Sequence, residues 1–400
     1  MAKPTLYRVL FLTTLLALAG CSASQNRTNV SARSGTPIPK ATLLAMDEID
    51  SNRDAPILIR AYKKESEIEV WKQTSKGRYA LMKTYPVCRW SGQLGPKTRE
   101  GDRQVPEGFY TVTPTQMNPN SSLWLAFNVG YPNPMERSLG RNGGDIMVHG
   151  TCSSRGCFAM TNEQIEEIYA VMREAFAAGQ KSVQFQSYPF RMTAENLVKF
   201  RNDPNLPFWK NLKEGSDRFE VTKTEPAVGY CGSRYTFGAT DAPGCGQTAA
   251  ADGAAAEIAA KAASDEAKVA ALIAAGAAPI RMSYVDGDQH PSFRTPEKRK
   301  LLEKYAASGE FSRPEALSSV EETELDHAGN PLPRRSPSIT AFAPSSAATP
   351  VAPVVTARSD QDGFFKKWFG AAEPEPVDAT PASPPVNGFS PNIPLPPRRG

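Results

Sequence analysis

The chain is poor in the residues that build metal and nucleotide sites. It has three histidines and six cysteines in 400 residues, and no Cys-x-x-Cys pair, so a structural zinc site lacks the usual ligand spacing. Neither a Gly-x-x-x-x-Gly-Lys-Ser/Thr loop nor a strand-linked Gly-x-Gly-x-x-Gly is present, which removes the common phosphate cradles. No metal and no cofactor is implied. The formal net charge is only +4, with no concentrated basic stripe, and this argues against nucleic acid as a partner. No apolar run approaches the ~20 residues of a membrane-spanning helix.

What is present at the start is an export pattern. Lys3 and Arg8 precede an apolar stretch, Val9 to Leu18, followed by Leu18-Ala19-Gly20-Cys21. A stretch this short reads as a secretory signal. The cysteine after Ala-Gly resembles the lipobox of bacterial lipoproteins, in which Cys21 becomes the acylated N-terminus and holds the chain to a membrane. Ser22 after it favours the outer membrane under the sorting rule of enteric bacteria. The expected address is the periplasm, where disulfides persist. With Cys21 lipidated, Cys88, Cys152, Cys157, Cys231 and Cys245 remain. An odd number leaves at least one thiol free, and the other four allow two bridges in three connectivities.

Composition divides the rest. Residues 1–20 read as signal peptide and 21–53 as a Ser/Thr/Arg/Asn-rich tether. Residues 54–220 form the patterned body, 221–297 an accessory region with an Ala-rich helix, and 298–400 a low-complexity tail. Fifteen prolines fall in the last seventy residues, and such a Pro/Ala-rich segment buries too little apolar surface to offset its ordering entropy. Within the body, short β-branched and aromatic runs recur between Gly, Pro and Asn turns: Pro56 to Tyr62, Glu67 to Trp71, Arg78 to Tyr85, Gly108 to Val112, Leu123 to Phe127, Asp145 to His149 and Ser182 to Gln186. They predict a mainly β body, a sandwich or barrel-like sheet. One helix is well specified. Thr161 and Gln164 fit a capping box, Ile165, Ile168, Tyr169, Met172 and Phe176 follow at helical spacing, and Gly179 offers a stop. A shorter helix is expected from Thr193 to Phe200.

The chemistry concentrates in Met147-Val-His-Gly-Thr-Cys-Ser-Ser-Arg-Gly-Cys157-Phe. His149 stands eight residues before Cys157, and a helix start comes directly after it. A free cysteine is only ~3% thiolate at neutral pH, and lowering its pKa to ~6 would make it ~90% thiolate, a stabilisation of roughly 3.4 kcal/mol. A His149 imidazolium is the expected source of that stabilisation. His290 and His327 lie outside the strand-rich body. Backbone N–H groups of Arg155, Gly156 and Cys157 offer donors for an oxyanion. Cys152 is closer to His149 in sequence, and only Gly156 and the following helix cap favour Cys157 over it. A papain-like arrangement would place its histidine far downstream of the cysteine, the reverse of the order here.

Six stretches carry a family resemblance: Val87 to Lys97, Glu100 to Tyr110, Asn118 to Ser122, Phe127 to Asn133, Met147 to Gly150 and Ser154 to Thr161. Together they resemble the YkuD-type L,D-transpeptidase catalytic domain, in its YafK-like branch. The resemblance implies a β-rich domain, with a short helix after the nucleophile, that acts on peptidoglycan stem peptides at meso-diaminopimelate. Cys157 would be the nucleophile and His149 its base, with Ser154 and Gly156 shaping the oxyanion turn. A thioester on Cys157 would pass to an amine, giving a 3-3 crosslink or an attached protein, or to water. The YafK-like branch includes a hydrolase that frees Braun-type lipoprotein, so a wall-linked lipoprotein is a further expected partner. Where the wider family carries a second histidine two residues before the nucleophile, this chain has Arg155. Arg155, Arg141, Tyr131 and Asn133 are the expected substrate-binding residues. The non-enzymatic alternative is a wall-binding envelope lipoprotein with a degenerate site. The oligomeric state is left open by the sequence.

Overall fold

The computed structural model describes residues 32–238, 253–300, 320–326 and 328–333. The export segment with Cys21, Cys245, His327 and most of the Pro/Ala-rich tail lie outside them. The described residues fall in the first of two units, Met1–Arg334 and Arg335–Gly400. In chain order the elements are α1 (Lys40–Glu48), β1 (Ile57–Tyr62), β2 (Glu67–Gln73), β3 (Tyr79–Pro86), β4 (Arg89–Trp90), β5 (Gly108–Val112), β6 (Met117–Asn118) and β7 (Ala126–Asn128). Next come α2 (Pro134–Ser138), β8 (Met147–His149), β9 (Phe158–Ala159), α3 (Asn162–Ala177), β10 (Val183–Tyr188), α4 (Ala194–Lys199) and α5 (Leu206–Thr222). The last are β11 (Val228–Cys231), β12 (Arg234–Phe237), α6 (Ala255–Ala274), β13 (Ile280–Tyr284) and β14 (Val320–Glu324).

The strands form two five-stranded sheets, ordered β3-β2-β1-β10-β5 and β4-β9-β8-β7-β6, and two separate pairs, β11-β12 and β13-β14. In the first large sheet only β1 and β10 run parallel; in the second only β8 and β9 do. Both sheets are open. The expectation of a mainly β, barrel-like body is therefore corrected to a mixed α/β fold. Among the described residues 32% are helical and 24% lie in strands, so helix outweighs strand.

The reason is that the first sheet is covered on both faces. All six residues of β1 are buried, as are all six of β10, so neither shows the polar-apolar alternation of a half-exposed strand. Ile57, Ile59 and Ala61 enter the main core with Phe185, Val148 and the buried stripe of α3. The opposite face meets α5: Leu58 clusters with Trp71 and Phe219, and Tyr62 with Trp209 and Leu212. The pattern of α5 was hidden because Asn211, Lys213, Ser216 and Asp217 are buried alongside its apolar residues. Gly215 lies in its middle, where an added Cβ would come within 2.4 Å of the Phe237 ring. By contrast α3 follows its sequence pattern. Thr161 and Gln164 cap each other's backbone N–H groups, and Ile165, Ile168, Tyr169 and Met172 are buried. Each such burial contributes roughly 1.5–3 kcal/mol. Because α3 begins three residues after β9, this packing also fixes the segment that carries Cys157.

Candidate active site

His149 ends β8, and the residue beside it on β9 is Ala159. Continuing that parallel register sets Cys157 next to Met147, whose N–H donates to Cys157 Sγ at 3.4 Å. Cys157 is a bend residue just before β9, so it stands one strand over from His149 and two residues along, about 8 Å away by sheet spacing. His149 is buried, and its Nδ1 lies 2.7 Å from the Gly150 carbonyl oxygen. A carbonyl only accepts, so Nδ1 carries the proton and Nε2 is left as the basic nitrogen. Gly150 is itself required here. A Cβ would meet Asn162 Oδ1 at 2.7 Å and the Leu123 carbonyl oxygen at 3.0 Å.

Burial, and against it the bond to Gly150, bring the His149 pKa down to about 4. Burial pushes the Cys157 thiol up, opposed by the Met147 N–H and by Lys97, with Asp145 adding to the rise and Arg155 opposing it. The resting pair is thus neutral thiol and neutral imidazole. This replaces the imidazolium-stabilised thiolate expected from sequence. A neutral imidazole in this state can take up a proton at Nε2, and no thiolate is stored beforehand.

The remaining cysteines resolve part of the ambiguity. Cys88 is disulfide-bonded to Cys152, Cys231 is also in a disulfide, and Cys157 is the free cysteine among the described residues. Cys152 thus has no thiol to offer, and its bridge ties the start of β4 to the loop between His149 and Cys157. Ser154 organises that loop. Its Oγ accepts from Cys157 N–H at 3.0 Å and Gly156 N–H at 3.3 Å, donates to the Cys157 carbonyl at 2.7 Å, and lies 2.8 Å from Ser91 Oγ. Two of the three expected oxyanion donors therefore point at Ser154. Gly156 has φ +116°, a conformation that only glycine adopts without strain.

The other expected residues separate. Arg155 is exposed beside Cys157. Tyr131 is buried and donates from its hydroxyl to the Lys97 carbonyl at 3.3 Å. Asn133 is buried as the N-cap of α2, accepting from Glu136 N–H and donating to the Phe109 carbonyl and the Tyr235 hydroxyl. Arg141 lies 3.6 Å from Glu136 and over the Phe208 ring. Two cavities, of about 390 and 440 Å³, are lined by neither Cys157 nor His149. Asn133 lines the second of these, together with Tyr110, Met135 and Tyr235. Among the described residues no group of three His, Cys, Asp or Glu side chains is placed to hold a metal ion.

Sequence reasoning missed Lys97 as a site residue, although its motif was in view. It is buried, donates to the Arg99 carbonyl at 2.8 Å and pairs with Asp102, and its charge reaches the Cys157 sulfur.

Comparison with known proteins supplies the relatives of this chain. Residues 52–183 fit the model of the YkuD family, the L,D-transpeptidase catalytic domain. YafK of Escherichia coli K12, provisionally assigned as an L,D-transpeptidase, is 41% identical over 181 residues, which span 45% of this chain and 73% of the relative. The protein of the same name from strain O157:H7 gives the same figures. The solved helical cell shape determining protein Pgp2 of Campylobacter jejuni is 22% identical, covering 38% of this chain and 56% of that chain, with a TM-score of 0.28. Bd1075 of Bdellovibrio bacteriovorus is 16% identical, covering 42% of this chain and 61% of that chain, with a TM-score of 0.24. With its free Cys157, its neighbouring His149 and this match, the chain belongs to the YkuD family of L,D-transpeptidase catalytic domains.

Proposed function

We propose that this enzyme opens peptidoglycan stem peptides at meso-diaminopimelate through a Cys157 thioester, and that water is its principal acceptor. The observation that carries the reading is the free Cys157 against Met147, one strand over from His149, whose Nε2 is available as a base. Sγ bonds to the amide carbonyl carbon while the thiol proton moves to Nε2. The C–N bond then breaks, and the same proton leaves with the amine. Water adds to the thioester, gives a proton to Nε2, and the C–S bond breaks as the sulfur takes that proton back. Hydrolysis is favoured because Cys157 is part-exposed and Arg155 beside it is exposed, so water reaches the acyl group. Lipid attachment through Cys21, an outer-membrane address and a wall-linked lipoprotein as a natural donor belong to the same reading. Among the described residues no helix is long and apolar enough to cross a membrane.

The test feeds residues 22–400 with Cys21→Ser a disaccharide-tetrapeptide containing meso-diaminopimelate, beside the same chain carrying Cys157→Ser. Release of terminal D-alanine, leaving the disaccharide-tripeptide and dependent on Cys157, is the expected result. A 3-3 crosslinked dimer as the main product would instead make the enzyme a transpeptidase. Inertness here and on lipoprotein-linked muropeptide would leave only wall binding.

A further inference from the structure

The loop that bears Cys157 leans on a segment far outside the family match. Arg103 is the contact. A Cβ at Gly156 would lie 3.6 Å from Arg103 Cα and 3.7 Å from its carbonyl carbon, so the Arg103 backbone forms one wall of the nucleophile turn. Arg103 has φ +54°, a left-handed conformation that a non-glycine residue holds only when its surroundings fix it. Its side chain pairs with Asp286, 183 residues away, through Nη2 and through Nε at 3.1 Å. Asp286 is 3% exposed and has further ties: its Oδ1 accepts from Gly92 N–H at 3.3 Å, and its carbonyl accepts from Arg89 of β4.

The neighbours of Asp286 continue the attachment. Gly287 N–H donates to the Gly92 carbonyl at 2.7 Å, Trp90 N–H to the Asp288 carbonyl at 3.0 Å, and His290 N–H to the Val87 carbonyl at 3.0 Å. Residues 286–290 therefore back the strand that pairs with β9 and is followed by Ser91, the partner of Ser154.

We propose that Asp286 is a positioning residue of the active site: it clamps Arg103 in its left-handed conformation and so holds the Gly156-Cys157 turn in register with His149. This rests on Cys157 being the nucleophile, as proposed above. It makes the accessory segment part of the catalytic unit.

The experiment uses the full-length chain and its variants Asp286→Asn, Arg103→Gln and the two combined, assayed for tetrapeptide turnover and for Cys157 alkylation by iodoacetamide across pH. Each single variant is expected to lower kcat about tenfold or more with KM within about two-fold. The double variant should fall no further than the worse single, because both remove one clamp. Alkylation near neutral pH should rise several-fold as the sulfur gains solvent, opposite in sign to turnover. A merely structural role would lower the thermal midpoint and leave the alkylation pH profile where it was. The proposal is overturned by Asp286→Asn turnover within about two-fold of wild type with an unshifted profile, or by losses that multiply in the double variant. Should Asp286→Asn not fold, Arg103→Gln tests the same clamp while keeping the Asp286 contact to Gly92. Should the wild type not turn over tetrapeptide, the substrate reading fails and the alkylation profiles still decide the clamp.

Discussion

Acid should unfold this protein partly through one residue, His149. Its pKa is held at about 4 by burial, against an ordinary 6.5, so the unfolded chain binds a proton more readily through that interval. The contribution is fully present near neutral pH and is lost as pH falls from about 6.5 to about 4. Linkage gives a loss of about 2 kcal/mol at about pH 5 and about 3 kcal/mol at about pH 4. Other acidic groups titrate over the same range, so the effect must be read against a variant. His149→Asn keeps a side-chain N–H for the Gly150 carbonyl but carries nothing to protonate. Its smaller size costs stability at every pH, which is a constant offset. Urea unfolding followed by tryptophan fluorescence, at neutral pH and at about pH 5 and 4, yields the difference between the two proteins. That difference should shrink by about 2 and then about 3 kcal/mol on acidification. A gap constant across the three conditions would show that His149 is not buried neutral, and with it the general-base reading of the pair would fall.

Three shorter tests address the same site and its surroundings. The rate of Cys157 alkylation by iodoacetamide should climb about tenfold per pH unit from about pH 6 to 8, since burial raises the thiol pKa. A plateau already reached below neutral pH would mean that thiolate and imidazolium are the resting state. Gly156→Ala meets only ordinary contacts but must hold φ +116°, so it should cost about 1–3 kcal/mol and depress turnover. An unchanged thermal midpoint together with full turnover would contradict this. Burial lifts the Glu136 carboxyl to about 7 from 4.5, opposed by bonds from Asn133 and Tyr110 and by the Arg141 charge. The folded protein therefore prefers the protonated acid and loses stability as pH rises through that window. Glu136→Gln should thus gain up to about 3 kcal/mol on wild type between about pH 4 and 8, and equal denaturation shifts at both ends would refute it.

Much of the site could be read from local sequence because the relevant contacts are local. Thr161 and Gln164 are three residues apart, and the stripe of α3 repeats at helical spacing, so cap and helix were visible directly. His149 ends β8 and Cys157 immediately precedes the parallel β9, so their proximity was carried by spacing. What was hidden depended on distant partners. The strands β1 and β10 look alike whether they close a barrel or lie between helices, because burial on both faces erases the alternation that separates the cases. Nothing near Asp286 announces a partner at Arg103, and nothing near Asn133 announces that Tyr235 will take its amide. The charge state of His149 also depends on burial, which spacing does not encode.

A neutral pair changes what the fold must supply. At an ordinary thiol pKa of about 8.5, forming thiolate at neutral pH costs about 2 kcal/mol, and the part-exposed Cys157 starts above that. A thiolate-storing enzyme stabilises the charge in the resting state; here the stabilisation has to appear as the bond forms. One well-placed oxyanion donor contributes about 2.7–4 kcal/mol, enough to cover the deficit, provided the donor is in place without reorganisation. The Gly156 and Cys157 N–H groups are the candidate donors, and they rest on Ser154 Oγ. They can exchange that partner for a substrate oxyanion only if the turn keeps its shape meanwhile. The Cys88–Cys152 disulfide and the Ser91–Ser154 contact tie the loop to residues 88–91, and the proposed Arg103–Asp286 clamp is a third tie. On the proposed mechanism, turnover would depend on the rigidity of the loop as much as on the basicity of His149. Loosening any of the three ties should cost turnover even where the thiol itself becomes easier to reach.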